Sequence, residues 1–178
     1  MERRYGLGTV GAAEFTAFYV STLAGRTVTE VDRLRRDFLR ESITPRIPAA
    51  ARALVARHLA TDELVVLSTA TNRVITELTA QHFGIPHLIA TEVELQSDTY
   101  SGRPSGVLNM REGKVERLDA FLAERSLSHD QCDSRFYSDS INDLALLSAV
   151  RTAIVVNPDA RLAGVAANRG WETISLHA

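Results

Sequence analysis

Cysteine, lysine and long apolar runs are all scarce in this sequence, and each scarcity excludes something. The 178 residues include one cysteine, Cys132, which rules out an internal disulfide and a Cys-rich zinc site and fits a reducing compartment. No apolar stretch approaches the roughly 20 residues of a membrane-spanning helix. The start, Met-Glu-Arg-Arg-Tyr, is charged and leads into no secretory h-region. Twenty basic residues against 22 acidic ones leave a formal charge of −2, with no basic excess to attract nucleic acid or an anionic membrane. No repeat, low-complexity tract or Pro/Gly-rich linker divides the chain. The expectation is a cytoplasmic domain with neither nucleic acid nor membrane as partner.

Lysine occurs once, at Lys114; every other Lys/Arg position is arginine. Ordinary surface cations are thus written as Arg here, and the lone ammonium invites a specific reason. A solvated surface lysine is the plain alternative.

What is present is a 45% apolar share, enough for a sizeable core, in a strand–helix rhythm. Residues 10–42 read as two helices. The first carries Phe15, Phe18, Tyr19 and Leu23 at i, i+3, i+4 and i+8, and Gly25 ends it. The second is capped by Thr27 or Thr29 and carries Val31, Leu34, Phe38 and Leu39 on one stripe. Pro45 and Pro48 separate this pair from the rest of the chain. Beyond them the pattern predicts a helix over 49–59, a strand over 64–67, a helix from Asn72 to Gly84 and a strand over 87–90. A hairpin over 93–109 and a helix over 113–125 come next. Strands at 135–137, 153–156 and 171–176 then alternate with helices at 142–150 and 159–168. Such alternation predicts an α/β fold with a doubly wound parallel sheet, whose ligands sit at the carboxyl ends of strands.

Three such places carry polar residues. Ser68-Thr69-Ala70-Thr71-Asn72 follows the first apolar strand and leads into a helix, where hydroxyls and backbone N–H groups suit a phosphate or carboxylate. Helix capping by Thr71 and Asn72 is the plain alternative. Ser138-Asp139-Ser140-Ile141-Asn142-Asp143 follows the strand at 135–137, and its oxygen-rich side chains suit Mg²⁺. An Asp/Asn-rich turn would read similarly. Lys114 opens a helix. A hydroxyl, an ammonium and a carboxylate-held Mg²⁺ are the parts that phosphoryl transfer draws on.

These segments resemble the haloacid dehalogenase (HAD) superfamily, in its phosphoserine-phosphatase-like branch. The likeness rests on Leu64–Asn72, Asn109–Val115, Phe136–Asp143, Val155–Leu162 and Arg169-Gly170-Trp171. It runs through nearly the whole chain in the family's order. The resemblance implies a Mg²⁺-dependent phosphomonoester hydrolase acting on a small phosphorylated metabolite. It assigns phosphate contact to Thr69, with Ser68 the neighbouring alternative, and charge stabilisation to Lys114. It gives metal ligation to Asp139 and Asp143, and orientation of phosphate to Asn142. It also implies a small helical cap over residues 1–44 and a HAD-like, Rossmannoid core over 45–178, with room for an oligomer.

The family's first motif, an apolar strand ending in Asp-x-Asp whose first carboxylate attacks phosphorus, has no counterpart. Upstream of Thr69 the aspartates are Asp32, Asp37 and Asp62, none of them after an apolar strand. The leading reading is an enzyme whose first core strand is missing from the sequence, through a misplaced start or a truncated gene. The second is a noncatalytic relative that binds a phosphorylated ligand or a partner protein. A generic nucleotide-binding domain is set aside, because no strand-to-helix turn carries a Walker loop or a Gly-x-Gly-x-x-Gly fingerprint.

Overall fold

Thr27, rather than Thr29, starts the second helix. In the computed structural model, which describes residues 11–177, its hydroxyl accepts the Glu30 backbone N–H at 3.2 Å. The Thr27 backbone N–H returns a bond to the Glu30 carboxylate at 2.8 Å, completing a capping box. That backbone bond, and then the Thr27 hydroxyl, hold the Glu30 carboxyl below its ordinary range. The described chain divides into two compact units. One comprises the residues up to Ile47 together with His58–Asn109, the other Pro48–Arg57 together with the chain from Met110 onward.

In the first unit, α1 (Ala12–Ser21) and α2 (Val28–Phe38) form the predicted helical pair, but their inward faces differ from the expected stripes. Among the described residues of α1, Thr16 and Val20 are buried, whereas Phe18 is exposed. On α2, Val31 packs with Val74 and Tyr100. Arg35 then takes the next inward turn, bonding Asp32, Glu77 and the Val74 carbonyl. With that guanidinium turned inward, Leu34 and Phe38 point outward, 51% and 44% exposed.

Strand β1 runs Val66–Asn72, two residues later and five further than the sequence pattern suggests, so Ser68 and Thr69 lie in the strand itself. It pairs in parallel with β2 (His87–Gln96). Helix α4 (Arg73–Phe83) follows β1, with the Asn72 side chain accepting the Ile75 N–H at 3.2 Å. Strand β2 outlasts its predicted length and turns back as an antiparallel pair with β3 (Thr99–Ser105). This hairpin lies close under the α1–α2 turn. The Gly25 N–H donates to the Tyr100 carbonyl at 2.9 Å and the Tyr100 N–H to the Arg26 carbonyl at 3.0 Å.

Gly102 makes that approach. Its φ is +80°, and a Cβ there would sit 2.6 Å from the Ala24 Cβ. Left-handed strain and overpacking against a small side chain that cannot move aside act together. Gly102→Ala is therefore expected to cost about 2–4 kcal/mol and to lower the thermal midpoint. A melting curve superimposable on the wild type would contradict this.

The second unit contains α3 (Ala49–Leu59) up to Arg57, α5 (Glu112–Ala123), β4 (Arg135–Ser138), α6 (Leu144–Ala149), β5 (Thr152–Val156), α7 (Ala160–Arg169) and β6 (Glu172–Ile174). Its sheet is parallel throughout, in the order β4-β5-β6. Alternation along the strands sorts its two faces. Ala153 and Val155 face α6 and α7, packing with Leu147, Leu162 and Ala166 and flanked by Phe136 and Trp171. Burying each of these leucines contributes about 1.5–3 kcal/mol. Tyr137, Ile154 and Ile174 face the other way and, with Leu54 of α3, line an open cleft of about 260 Å³. Helix α7 begins on Asp159, whose carboxylate accepts the Leu162 N–H at 2.8 Å. The predicted α/β alternation is thus present, but among the described residues the strands form two three-stranded sheets, β1-β2-β3 and β4-β5-β6.

Candidate active site

Lys114 is the third residue of α5 and is 4% exposed. It is no surface lysine. Its Nζ lies 2.7 Å from Asp143 Oδ1 and 5.6 Å from the centroid of the Phe136 ring. The second Asp143 oxygen, Oδ2, accepts the Ser138 hydroxyl at 2.7 Å. Asp143 is itself buried, so both charges are largely out of water. A buried ion pair persists only when its remaining polar atoms are satisfied, and Ser138 together with the aromatic face meets part of that demand.

The turn after β4 fixes Asp143. The Ser140 N–H donates to Ser138 Oγ at 3.1 Å, and the Asn142 N–H donates to Ser140 Oγ at 3.2 Å. The Asp143 N–H donates to the Ser140 carbonyl at 3.0 Å. The short turn Ile141–Asp143 therefore leads into α6 with the Asn142 and Asp143 backbone donors used locally. Asp139, one residue past β4, stands exposed. The unit thus joins a buried ammonium, a buried carboxylate and an exposed carboxylate around the carboxyl end of β4, where open α/β sheets bind their ligands.

Ser68 and Thr69 belong to the first unit, within β1 and just before the break in its pairing with β2. Ser68 Oγ accepts from the Asn109 amide at 3.2 Å, and Thr69 Oγ1 accepts the Thr71 N–H at 3.2 Å. Of the predicted site residues, the structure joins Lys114 directly to Asp143 and places Asp139 and Asn142 on the same turn. Sequence reasoning missed Ser138, Thr91 and Asn109. Ser138 stood in the acidic segment without a role, and Asn109 opened the lysine segment without one.

Among the described residues no group of three or more His, Cys, Asp or Glu is placed to hold a metal. The oxygen donors that are present, Asp139 and Asp143, suit Mg²⁺, which commonly takes one or two carboxylates and keeps several waters. One glycine spacing bears on the nucleotide-binding alternative. Gly6, Gly8 and Gly11 have the dinucleotide fingerprint's spacing, and residues 1–10 lie outside those described.

The family model for haloacid dehalogenase-like hydrolases matches residues 1–148. The chain belongs to that family. A relative from Neisseria meningitidis, named histidinol-phosphatase, is 37% identical over 177 residues, covering 98% of this chain and 79% of the relative. A phosphoserine phosphatase of Mycobacterium tuberculosis is 33% identical over 150 residues, and the chain spans 48% of its length. Among solved structures, a Bordetella pertussis protein of unknown function superposes with a TM-score of 0.94 at 39% identity, covering 99% of this chain and 79% of that one. A probable phosphoserine phosphatase from Vibrio cholerae shares the HAD-like fold, with a TM-score of 0.72 at 14% identity, and the match covers 50% of it. The phosphatase names among these HAD-like relatives favour an enzyme over a noncatalytic binding protein.

Proposed function

We propose that the protein hydrolyses a small phosphomonoester with the help of Mg²⁺, with Lys114 neutralising charge at the phosphoryl group. The buried Lys114–Asp143 pair beside the exposed Asp139 carries this reading. In this reading Thr69 and Ser68 donate hydroxyl hydrogen bonds to phosphoryl oxygens, and Asn142 orients the phosphate. Asp139 and Asp143 would hold Mg²⁺, whose chemistry is to offset the charge of the transferring phosphoryl group. Transition-state charge is what such preorganised donors stabilise.

The names histidinol-phosphatase and phosphoserine phosphatase both denote action on phosphate esters of amino alcohols. A substrate of that class is part of the proposal, as are a cytoplasmic location and the division into a cap over 1–44 and a core over 45–178. Among the described residues no helix is long and apolar enough to cross a membrane.

The nucleophilic carboxylate is the remaining part. No aspartate of the chain follows an apolar strand upstream of Thr69, and we take the Asp-x-Asp strand to lie outside these 178 residues. Translating the DNA upstream of Met1 tests it; the absence of any in-frame apolar strand ending in Asp-x-Asp would count against it.

Metal binding gives a separate check. With two carboxylates, one of them already engaged by Lys114, Mg²⁺ is expected to bind this chain weakly. Titration calorimetry should show a shallow, unsaturated curve that Asp139→Asn flattens. Tight binding abolished by Asp139→Asn would mean that the site is complete without a further ligand.

A further inference from the structure

The pairing of β1 with β2 breaks at the hydroxyl residues. Thr69 pairs with Ala90, and the next pair is Asn72 with Thr91, so β1 advances three residues while β2 advances one. Ala70 and Thr71 are thereby lifted off the ladder. Backbone carbonyls there need other donors, because a buried one left unpaired costs about 1–3 kcal/mol.

Two side chains supply them. The Asn109 amide Nδ2 donates to the Thr69 carbonyl at 2.8 Å and to the Ile89 carbonyl at 2.8 Å, and lies 3.2 Å from Ser68 Oγ. Thr91 Oγ1 donates to the Ala70 carbonyl at 3.2 Å and accepts the Asn109 N–H at 3.1 Å. Asn109 and Thr91 are both 0% exposed. Two carbonyls facing the same amide atom require it to be the NH₂, not the oxygen. The opposite atom, Oδ1, is buried and meets no protein donor among the described residues. The NH₂ thus grips both strands.

We infer that Asn109 is a positioning residue, which fixes the bulged end of β1 so that Ser68 and Thr69 present their hydroxyl protons to a phosphoryl oxygen. This inference rests on the phosphatase reading above. Thr69 Oγ1 already accepts one bond, from the Thr71 N–H, and Ser68 Oγ lies 3.2 Å from Asn109 Nδ2, an amide nitrogen that cannot accept the Ser68 proton. A hydroxyl engaged as an acceptor still has its proton to donate. A phosphate offers acceptors and no donors when fully ionised, so two hydroxyls set as donors match it. Asn109 itself touches no substrate; it acts through the strand.

The test is a titration of the ¹⁵N-labelled 178-residue chain with inorganic phosphate, followed by NMR in wild type, Asn109→Ala and Asn109→Ser. In the wild type, the expected phosphate-induced shifts include Ser68–Thr71, and the Asn109 side-chain NH₂ protons are slow to exchange with solvent. Asn109→Ala should weaken phosphate binding at least tenfold and raise the fast-timescale mobility of Ser68–Thr71, with the signals of the second unit unchanged. Asn109→Ser, which keeps a donor, should recover part of both. If Asn109→Ala does not fold, Thr91→Val removes the neighbouring clamp and is read by the same two measurements. If neither variant folds, rapid exchange of the wild-type NH₂ protons would overturn the inference, and slow exchange with shifts at Ser68–Thr71 would support it. A wild type whose Ser68–Thr71 signals ignore phosphate overturns the phosphatase reading of these hydroxyls, and the inference with it. A wild type that binds while a folded Asn109→Ala binds equally well, its loop no more mobile, overturns the inference alone.

Discussion

Lys114→Met, made in a protein extended upstream by an apolar strand ending in Asp-x-Asp, is expected to lower kcat on the order of 10²–10³. The effect belongs to the chemical step. Negative charge grows on the nucleophile–phosphoryl unit as the bond to the leaving group breaks, and a fixed ammonium is worth more there than against the bound ester. Lys114 is fixed three ways: by Asp143 at 2.7 Å, by the Phe136 ring and by burial at 4% exposure. Lys114→Arg should fail as well, since a planar fork does not fit a space shaped around a compact ammonium. Steady-state kinetics at a temperature where every variant is folded would decide. A rise in KM with kcat untouched would mean that the lysine only binds substrate.

The same substitution should weaken the fold. Removing one partner of a buried ion pair strands the other, typically at a cost of about 3–5 kcal/mol. Domain stabilities are about 5–15 kcal/mol, so Lys114→Met should be among the most damaging single changes in this chain. Among the described residues, Asp143 would keep the Ser138 hydroxyl as its buried partner. Lys114→Met combined with Asp143→Leu should recover much of the loss, because no uncompensated charge remains. Denaturant unfolding of the two single variants and the double variant gives the coupling directly. Additive losses, with no recovery in the double variant, would show that the pair is not coupled in the folded chain.

Lys114 was legible in the sequence because composition isolated it: one lysine among arginines, three residues into a helix. The Asp139–Asp143 turn was legible because its carboxylates and amide are denser than capping requires. Other features depended on partners far along the chain. The stripe Leu34–Phe38 misled because Arg35, an arginine like eighteen others by sequence, turns inward to meet Glu77 more than forty residues later. The start of β1 was misplaced because Leu64 and Val65 look like strand, yet Leu64 is exposed and the ladder begins at Val66. The bulge at Ala70 and Thr71 leaves no local signature at all. Its clamps, Thr91 and Asn109, lie about twenty and forty residues downstream, and only the register of β1 against β2 gives them a task.

The most direct test measures phosphate release from histidinol phosphate, phosphoserine and an aryl phosphate in the presence of Mg²⁺. It compares the 178-residue chain with the same chain joined to an upstream apolar strand ending in Asp-x-Asp. The expected result is a blank-level rate for the shorter protein and turnover for the longer one, lost on Lys114→Met. Hydrolysis by the 178-residue chain that falls with Lys114→Met, or an inert extended protein, would contradict the account.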